Sequence, residues 1–537
     1  MSGNAADVEL GHTATFSKES SIRDANPPLP HQDRKSSLSI HRTDTDGIPS
    51  AGSAHLINQV TWRHRMQTWF RHLHGEACGI ERVSPEARTN QRPRDMFTLF
   101  TSTNSSIGSV AFGSLGPGLF GLGWWDSFLA ILFFNILSAI PAAVIATFGP
   151  KYGLRTLVVN RFVFGWWPSK FIALLNAISM LGWAIVYIMI GASILYDVGQ
   201  GALPLPVAAL ILGLISVIVS VIGYEWVHVY ERYAWMVMLA CVCVVAGFSA
   251  KHMSNIAMGS GASEISGILS FGTAIWALNT SWTPVSADFS VYMPEKTNPW
   301  RVFTCTYLGI SVSAILLESL GAGMMTMVIA NPVMADAYQS ASIGGLIGQV
   351  FVGYGSGVRN LGYLIETVLA LSVVSVAVAD IYVFGLNIQL LDTRFIKIPR
   401  YIWNIGGGLA AIGVAIAGGN NLVVAMQNFL NIMAYWLTPW LTIFILEFII
   451  WAKGYTYNAD AYMNPSTMPK GIAALTVFLI STILGVLSMS QTWWVGPIAL
   501  GVGNAPFGTD ISWELEMAVS IFLYVPLRYL EKKHIGR

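Results

Sequence analysis

Two aromatic residues in one apolar segment could bind a flat ligand. Trp183 and Tyr187 are four residues apart in the segment LGWAIVYIMI, so in a helix both rings lie on the same face. Aromatic faces stack on planar heterocycles, which contributes roughly 1–3 kcal/mol per base in nucleic-acid-binding proteins. Trp282, in the segment NTSWTP, could supply the opposite wall. The alternative is that these rings pack against other helices or lie in the aromatic belt at a membrane surface.

Acidic side chains inside apolar segments are the second group that could do chemistry. Asp380 lies in LALSVVSVAVADIYVFGLNIQLL, with Ser372 and Ser375 before it, and Glu318 lies in a segment of similar character. A charge at the centre of a bilayer helix costs about 2.5–3.5 kcal/mol on insertion scales, so such acids usually face a cavity and bind ions, protons or substrate. Successive helix residues turn about 100°, which places Ser372 within about 80° of Asp380 on a shared polar stripe. These four residues are therefore candidates for binding a coupling ion.

Each acid also has an alternative interpretation. Asp380 could lie in the headgroup region, because the end of its segment is poorly defined by hydropathy. Glu318 could pair with a neighbouring helix instead of belonging to a proton path. Glu447, late in another apolar segment, fits the role of a helix cap or anchor.

The apolar composition of the chain makes these residues conspicuous. Of its 537 residues, 54% are hydrophobic and 11% are charged, whereas roughly 25% are charged in a soluble domain. About 20 consecutive apolar residues span a bilayer, and nearly every stretch of that length after Phe97 qualifies. We predict an all-α polytopic membrane protein with twelve spans, which begin near Phe97, Trp124, Phe171, Pro204, Tyr233, Ser266, Val302, Leu361, Tyr401, Leu422, Gly471 and Ser512.

The basic residues predict the orientation of these spans. With twelve spans, 28 of the 30 Lys and Arg residues lie on one side, and only Lys251 and Arg359 lie on the other. Since cytosolic loops are enriched in basic residues, both termini are expected in the cytosol. The formal net charge of +1 provides no overall basic field, so we expect no nucleic-acid partner.

The first 95 residues differ from the rest in composition. They are rich in Ser, His, Arg and Asp, and we predict a largely disordered cytosolic tail over 1–95, a transporter domain over 96–530 and a short cytosolic C-terminus over 531–537. The tail has no apolar run typical of a secretory signal peptide. Its segment HLINQVTWRHRMQTWFRHLHG has aromatic residues at helical spacing. That segment could lie on the inner leaflet or dock on the protein's own cytosolic face.

Two of the spans are interrupted by helix-breaking residues. Span one contains GSLGPGLFGLG, and span six contains NTSWTP, where polar side chains precede Pro284. Pro removes a backbone donor and Gly weakens a helix by about 1 kcal/mol, so the freed polar groups need partners such as those lining a cavity. Spans one and six are five apart, which favours two inverted five-helix repeats with broken helices 1 and 6, as in many secondary transporters. Two ordinary proline kinks are the alternative.

Motifs for covalent or metal chemistry are missing from the sequence. The four cysteines show no disulfide or metal-binding spacing, and there is no phosphate loop, H-E-x-x-H or G-x-S-x-G motif. We therefore expect no enzyme activity, no metal site and no cofactor.

Several segments together resemble the nucleobase:cation symporter family, and within it the fungal purine-cytosine permease branch. They are NQRPRDMFTLF and GSLGPGLFGLG, the loop FGPKYGLRTLVVNRFVFGWWPSK, then GYEWVHVYERYAWM, SWTPVSADFSVYMP and the C-terminal WELEMAVSIFLYVPLRYLEKKHIGR. The similarity runs in order from about residue 76 to the end. It implies twelve spans, inverted repeats, proton- or sodium-coupled uptake and a planar substrate between spans one, three, six and eight.

The resemblance also implies roles for particular residues. Trp183 and Trp282 would stack on the substrate, and Ser109 and Ser114 would lie close to it. Asp288 would close span six at its cytosolic end.

Two departures from the branch bear on specificity. Tyr187 stands where the branch has an amide, and Asp380 stands in VAVADIY where the branch has an Asn-rich stretch. An ionised Asp only accepts hydrogen bonds, whereas Asn also donates. The resemblance implies a plasma-membrane proton symporter, with sodium as the alternative ion, and the two departures widen its substrate to a purine, cytosine or related planar heterocycle. The alternatives are a vitamin B6 (pyridoxine) carrier of the same family, a channel, or a transporter-derived sensor.

Overall fold

The computed structural model describes residues 79–536, apart from 223, 419–420, 453–454 and 504–507, and it describes only the backbone of 222–232. The predicted helix of the tail and Cys78 lie outside these residues. Within them the regular structure is helical, and a single isolated bridge pairs Ser490 with Val495. The predicted all-α class is therefore confirmed.

Each of the twelve predicted spans corresponds to a helix or to an interrupted set of helices, and we keep the names span one to span twelve for them. Span one comprises Arg94–Asn104, Ile107–Gly113 and Leu115–Leu119, and spans two to five are Trp124–Ala146, Trp166–Val198, Leu205–Ile222 and Tyr224–Ala250. Span six comprises Ala262–Thr280, the 3₁₀ turn Thr283–Val285 and Ser286–Ser290. Spans seven to twelve are Pro299–Ala330, Ser356–Leu391, Arg400–Gly418, Leu422–Leu446, Ile472–Ser488 and Ser512–Ile535.

Seven helices in the described residues are long and apolar enough to cross a membrane, judged by length and composition. They belong to spans two, three, five, seven, eight, nine and ten. The protein is therefore polytopic, while the exact count of twelve crossings stays a prediction.

Additional short helices connect the spans. Between spans two and three lie Phe148–Tyr152, Thr156–Val159 and Arg161–Phe164. Between spans seven and eight, Pro332–Gln349 is a helical hairpin, because Ala341 and Ser342 leave helical geometry and Ser342 has a φ of 51°. Hydropathy did not predict this hairpin, since each of its two arms is too short to resemble a span.

The break in span one lies earlier than the glycine tract that predicted it. Ser106 has extended backbone (φ −85°, ψ 159°), so the helix stops at Asn104 and restarts at Ile107. Ser114, inside the tract, keeps helical angles (φ −65°, ψ −17°). The glycines serve close packing instead, because a Cβ at Gly113 would overlap the backbone of Glu318 in span seven. The predicted position of the break is therefore corrected by about ten residues.

The break in span six lies where the sequence predicted it. The first helix ends at Thr280, a turn at Ser281 and Trp282 and the 3₁₀ turn Thr283–Val285 form the break, and the backbone leaves helical angles at Val285 (φ −121°, ψ −6°). Pro284 lies in the turn, so its missing amide hydrogen removes no hydrogen bond from a regular helix.

The last part of the predicted tail packs on the helical body. Val83 donates its backbone N–H to the carbonyl of Gly153 at 2.9 Å, and the buried Arg88 donates to the carbonyls of Val83 and Pro150 at 3.1 Å each. Residues 79–93 and the loop between spans two and three therefore lie at one end of the bundle. We call this end the basic face, because it carries Arg82, Arg88, Lys151, Arg155 and Arg161.

Candidate functional site

A narrow cavity lies between spans three, six and eight. Span three contributes Met180, Trp183 and Tyr187, span six contributes Leu278, Ser281, Trp282, Val285 and Phe289, and span eight contributes Val376, Ala379, Asp380 and Val383. The structure therefore brings four of the predicted site residues, Trp183, Tyr187, Trp282 and Asp380, to one cavity.

The two aromatic residues of span three form one wall of this cavity. The ring centroids of Trp183 and Tyr187 are 6.0 Å apart, with an interplanar angle of 34°. Phe112 of span one meets both rings edge-on, at 5.7 and 6.1 Å. Phe429 of span ten packs edge-on against Trp183 at 5.0 Å. Neighbouring spans thus restrain the orientation of both rings before any ligand binds.

Trp282 contributes from the break of span six and is held by span one. Its indole Nε1 donates to Asn104 Oδ1 at 3.3 Å, and its ring meets Phe100 edge-on at 5.5 Å. Both partners belong to the part of span one before its break. Asn104 was not predicted as a site residue from the sequence. Its position in the polar run TSTNSS, inside an apolar span, could have indicated it.

Asp380 brings a carboxylate to the same cavity. Its side chain is 5% exposed, and its Oδ2 has no hydrogen-bond partner among the described residues. The Nε1 of Trp183 likewise has none in that part of the chain. Buried polar atoms without partners cost free energy, so a ligand that pairs with them gains from the pairing. The cavity therefore offers an acceptor, a donor and aromatic faces.

Ser372 of span eight meets the break of span one, and neither Ser372 nor Ser375 lines the cavity. Ser372 Oγ accepts from the backbone N–H of Ile107 at 3.2 Å, the first residue after the break, and donates to the carbonyl of Leu369. Ser375 Oγ donates to the carbonyl of Ser372 at 2.9 Å. Ser372 thus satisfies a backbone amide that the break leaves without a helical partner.

Ser109 and Ser114 also lie apart from the cavity. Ser109 Oγ donates to the carbonyl of Asn104 across the break, at 2.6 Å, and Ser114 Oγ donates to the carbonyl of Ala111 at 2.7 Å. Both hydroxyls therefore stabilise span one locally in this conformation.

Glu318 lies in a separate buried network between spans two, six and seven. Its Oε2 accepts from Asn135 Nδ2 at 2.7 Å, and its Oε1 has no partner among the described residues. Asn279 Nδ2 donates to Asn135 Oδ1 at 2.6 Å and to Ser138 Oγ at 2.9 Å. Asn279 is two residues before the break of span six, so this network reaches the break but not the cavity.

Ionic contacts at the basic face connect spans six and eight. Asp288 Oδ1 accepts from the backbone N–H of Thr156 at 2.8 Å, and its Oδ2 lies 4.0 Å from Arg155 Nη1. Arg155 Nη2 also donates to the Tyr382 hydroxyl at 3.2 Å. The loop between spans two and three therefore joins the end of span six to span eight.

Glu447 pairs with a neighbouring span. It is buried and accepts from Arg528 Nη2 at 3.0 Å and from the Tyr524 hydroxyl at 2.7 Å, which joins spans ten and twelve.

Two interrupted helices beside an internal cavity in a polytopic helical protein are typical of secondary transporters. Residues 83–507 match the family model described as permease for cytosine/purines, uracil, thiamine, allantoin. The chain is therefore a member of this permease family and an integral membrane transporter.

Curated relatives agree with the family match. The purine-cytosine permease fcyB of Emericella nidulans is 33% identical over 477 residues, which cover 88% of this chain and 92% of that protein. The vitamin B6 transporter of Saccharomyces cerevisiae is 25% identical over 557 residues, which cover 94% of each chain. The resemblance to the purine-cytosine permease branch is thus confirmed.

A solved structure shows the same fold. A nucleobase-cation-symport-1 family transporter, in a closed conformation with bromovinylhydantoin bound, superposes with a TM-score of 0.64 at 16% identity, covering 86% of this chain and 96% of that one. The likeness confirms the predicted fold class, and the interruptions of spans one and six are present in this chain itself.

Proposed function

We propose that this chain is a plasma-membrane symporter that imports a purine nucleobase, cytosine or a related planar heterocycle by alternating access. The observation that carries the proposal is the meeting of Trp183, Trp282 and Asp380 at one cavity. The similarity to the fungal purine-cytosine permease supports the choice of substrate class.

The chemistry of the cavity suits a flat ring with polar edges. Indole faces stack on heterocycles, and this attraction does not depend on the identity of the base. Specificity then falls to the edge groups, where Asp380 Oδ2 accepts a ring or exocyclic N–H and Trp183 Nε1 donates to a ring nitrogen or carbonyl. Apolar residues such as Val376 and Ala379 complete the walls and exclude water from these bonds.

The coupling ion is proposed to be a proton, and two buried carboxylates could carry it. Asp380 lines the cavity, so protonation there would change the bond to the substrate directly. Glu318 would act at a distance, through Asn135 and Asn279, on the break of span six. With sodium as the alternative ion, the candidate ligands are the hydroxyl of Ser372, at the break of span one, and that of Ser375, which bonds to the carbonyl of Ser372.

A vitamin B6 substrate is the second candidate. The vitamin B6 transporter of yeast matches nearly the whole chain. A carboxylate at Asp380, beside the phenol of Tyr187, also suits a pyridine ring that carries a proton and a hydroxyl group.

Competition of uptake decides between these substrates. Yeast cells lacking their own carriers, with and without this chain, would take up labelled cytosine, adenine or pyridoxine in the presence of each unlabelled competitor, at two pH values. A proton symporter for nucleobases predicts saturable uptake that rises at the lower pH, that a protonophore abolishes and that omission of sodium leaves unchanged. Uptake equal to that of the control cells for every compound would refute the proposal.

A further inference from the structure

An open groove lies at the basic face, where spans one and seven begin. Its lining includes Arg92 and Arg94 from span one and the residues just before it, and Trp300, Arg301 and Thr304 from span seven. This groove is separate from the substrate cavity, with which it shares no lining residue.

The groove concentrates positive charge. Arg92, Arg94 and Arg301 are exposed, and none of them forms an ion pair within the described residues. Asp95 follows Arg94 in sequence but does not line the groove. Two long helices, Arg94–Asn104 and Pro299–Ala330, also begin here, and helix N-termini carry partial positive charge. The groove is therefore suited to an anion.

An apolar stripe leads away from the groove along span seven. Trp300, Thr304, Leu308, Val312 and Leu316 follow one another at four-residue intervals, and because each step turns by about 40° they form an exposed line that winds around the helix. Trp300 is 74% exposed, and Leu308, Val312 and Leu316 are 41%, 44% and 56% exposed. A free phosphate would use only the guanidinium groups, whereas a lipid would use both the groove and the stripe.

We propose that the groove binds an anionic phospholipid of the leaflet at the basic face. The phosphate lies among Arg92, Arg94 and Arg301, whose planar guanidinium groups match phosphate oxygens in pairs. An acyl chain follows the stripe, and Trp300 lies at headgroup depth, as Trp commonly does at membrane interfaces. Basic pockets of this kind between membrane helices favour anionic over zwitterionic lipids.

Native mass spectrometry of the full chain tests the proposal. The protein would be released from vesicles of phosphatidylcholine mixed with phosphatidylserine, and the retained lipids would be counted. The test variant R92Q/R94Q/R301Q removes the three charges of the groove. The matched control R394Q/K470Q/K533Q removes three exposed charges outside it. A further variant, T304W, places a bulky ring in the groove but keeps every charge.

We expect the wild type and the control to retain phosphatidylserine in preference to phosphatidylcholine. The test variant and T304W should both lose that preference while remaining monodisperse. Three results would overturn the proposal: no preference in the wild type, an equal loss in the control, or retention by T304W. Displacement of the lipid by inorganic phosphate as readily as by soluble short-chain phosphatidylserine would indicate a simple anion site instead.

Discussion

Replacing Trp282 by Ala should weaken substrate binding far more than replacing Trp276, and the comparison tests the stacking role directly. Both tryptophans belong to span six, and both are at least nine-tenths buried. Only Trp282 lines the cavity. Trp276 stacks on Trp513 at 4.3 Å and donates to Thr438 Oγ1 at 2.9 Å, outside the cavity.

The expected magnitudes differ for stability and for binding. Either truncation removes a buried indole, which lowers the free energy of unfolding by about 3–5 kcal/mol. In W282A, the loss of stacking should also weaken the free energy of substrate binding by roughly 1–3 kcal/mol. Since about 1.4 kcal/mol is tenfold, its affinity should fall by about 5- to 140-fold, whereas W276A should keep its affinity. W282F keeps an aromatic face and loses only the hydrogen bond to Asn104, so its loss should be smaller than that of W282A.

The assay is equilibrium binding of labelled substrate to purified protein, corrected for the correctly folded fraction by fluorescence-detected size exclusion. Thermal unfolding measured on the same samples reports the loss of stability separately. Unchanged affinity in W282A would remove this ring from the site. A comparable loss of affinity in W276A would show that the effect passes through folding and not through stacking.

The other predictions concern coupling, the basic face and helix packing. If Asp380 carries the coupling proton, D380N should abolish concentrative uptake but still exchange substrate. If Glu318 carries it, E318Q should show that behaviour and D380N should not. Wild-type pH dependence of uptake in both variants would refute a coupling role for both residues. D288A should unfold at a lower temperature than D288N, because Asn keeps the oxygen that accepts a backbone N–H at 2.8 Å, a bond worth about 1–3 kcal/mol; equal melting temperatures would contradict this. G113A should be destabilised by about 1–3 kcal/mol, since its methyl group would overlap the backbone of span seven, whereas G247A, with open space around it, should melt at or above the wild-type temperature.

Local sequence patterns were sufficient for the membrane character, the helical class and part of the site. Hydropathy is a property of consecutive residues, so each predicted span coincides with a helical segment. The pairing of Trp183 with Tyr187 follows from helical periodicity alone. The break of span six was also local, because Pro284 and the polar residues before it disfavour a continuous helix wherever the segment packs.

Tertiary structure decided where span one breaks and what its glycines do. The break at Ser106 is satisfied by Ser372 Oγ, which accepts from the backbone N–H of Ile107, and these two residues are 265 positions apart in sequence. Local sequence propensity cannot predict a hydrogen bond between such distant residues. The glycine tract was therefore wrongly predicted as the break, whereas its glycines allow close contact with span seven.

Tertiary structure also decided which of the polar candidate residues line the cavity. Asp380 and Glu318 look alike in sequence as acids in apolar spans, but one lines the cavity and the other joins an amide network outside it. Asn104 became important only because span one places it against the indole of Trp282. Hydropathy and periodicity determined which segments are helices and which faces are polar, because both are set by neighbours along the chain. Which polar groups meet depended on the packing of distant spans, because a buried hydrogen-bonding group takes its partner from whichever helix lies beside it.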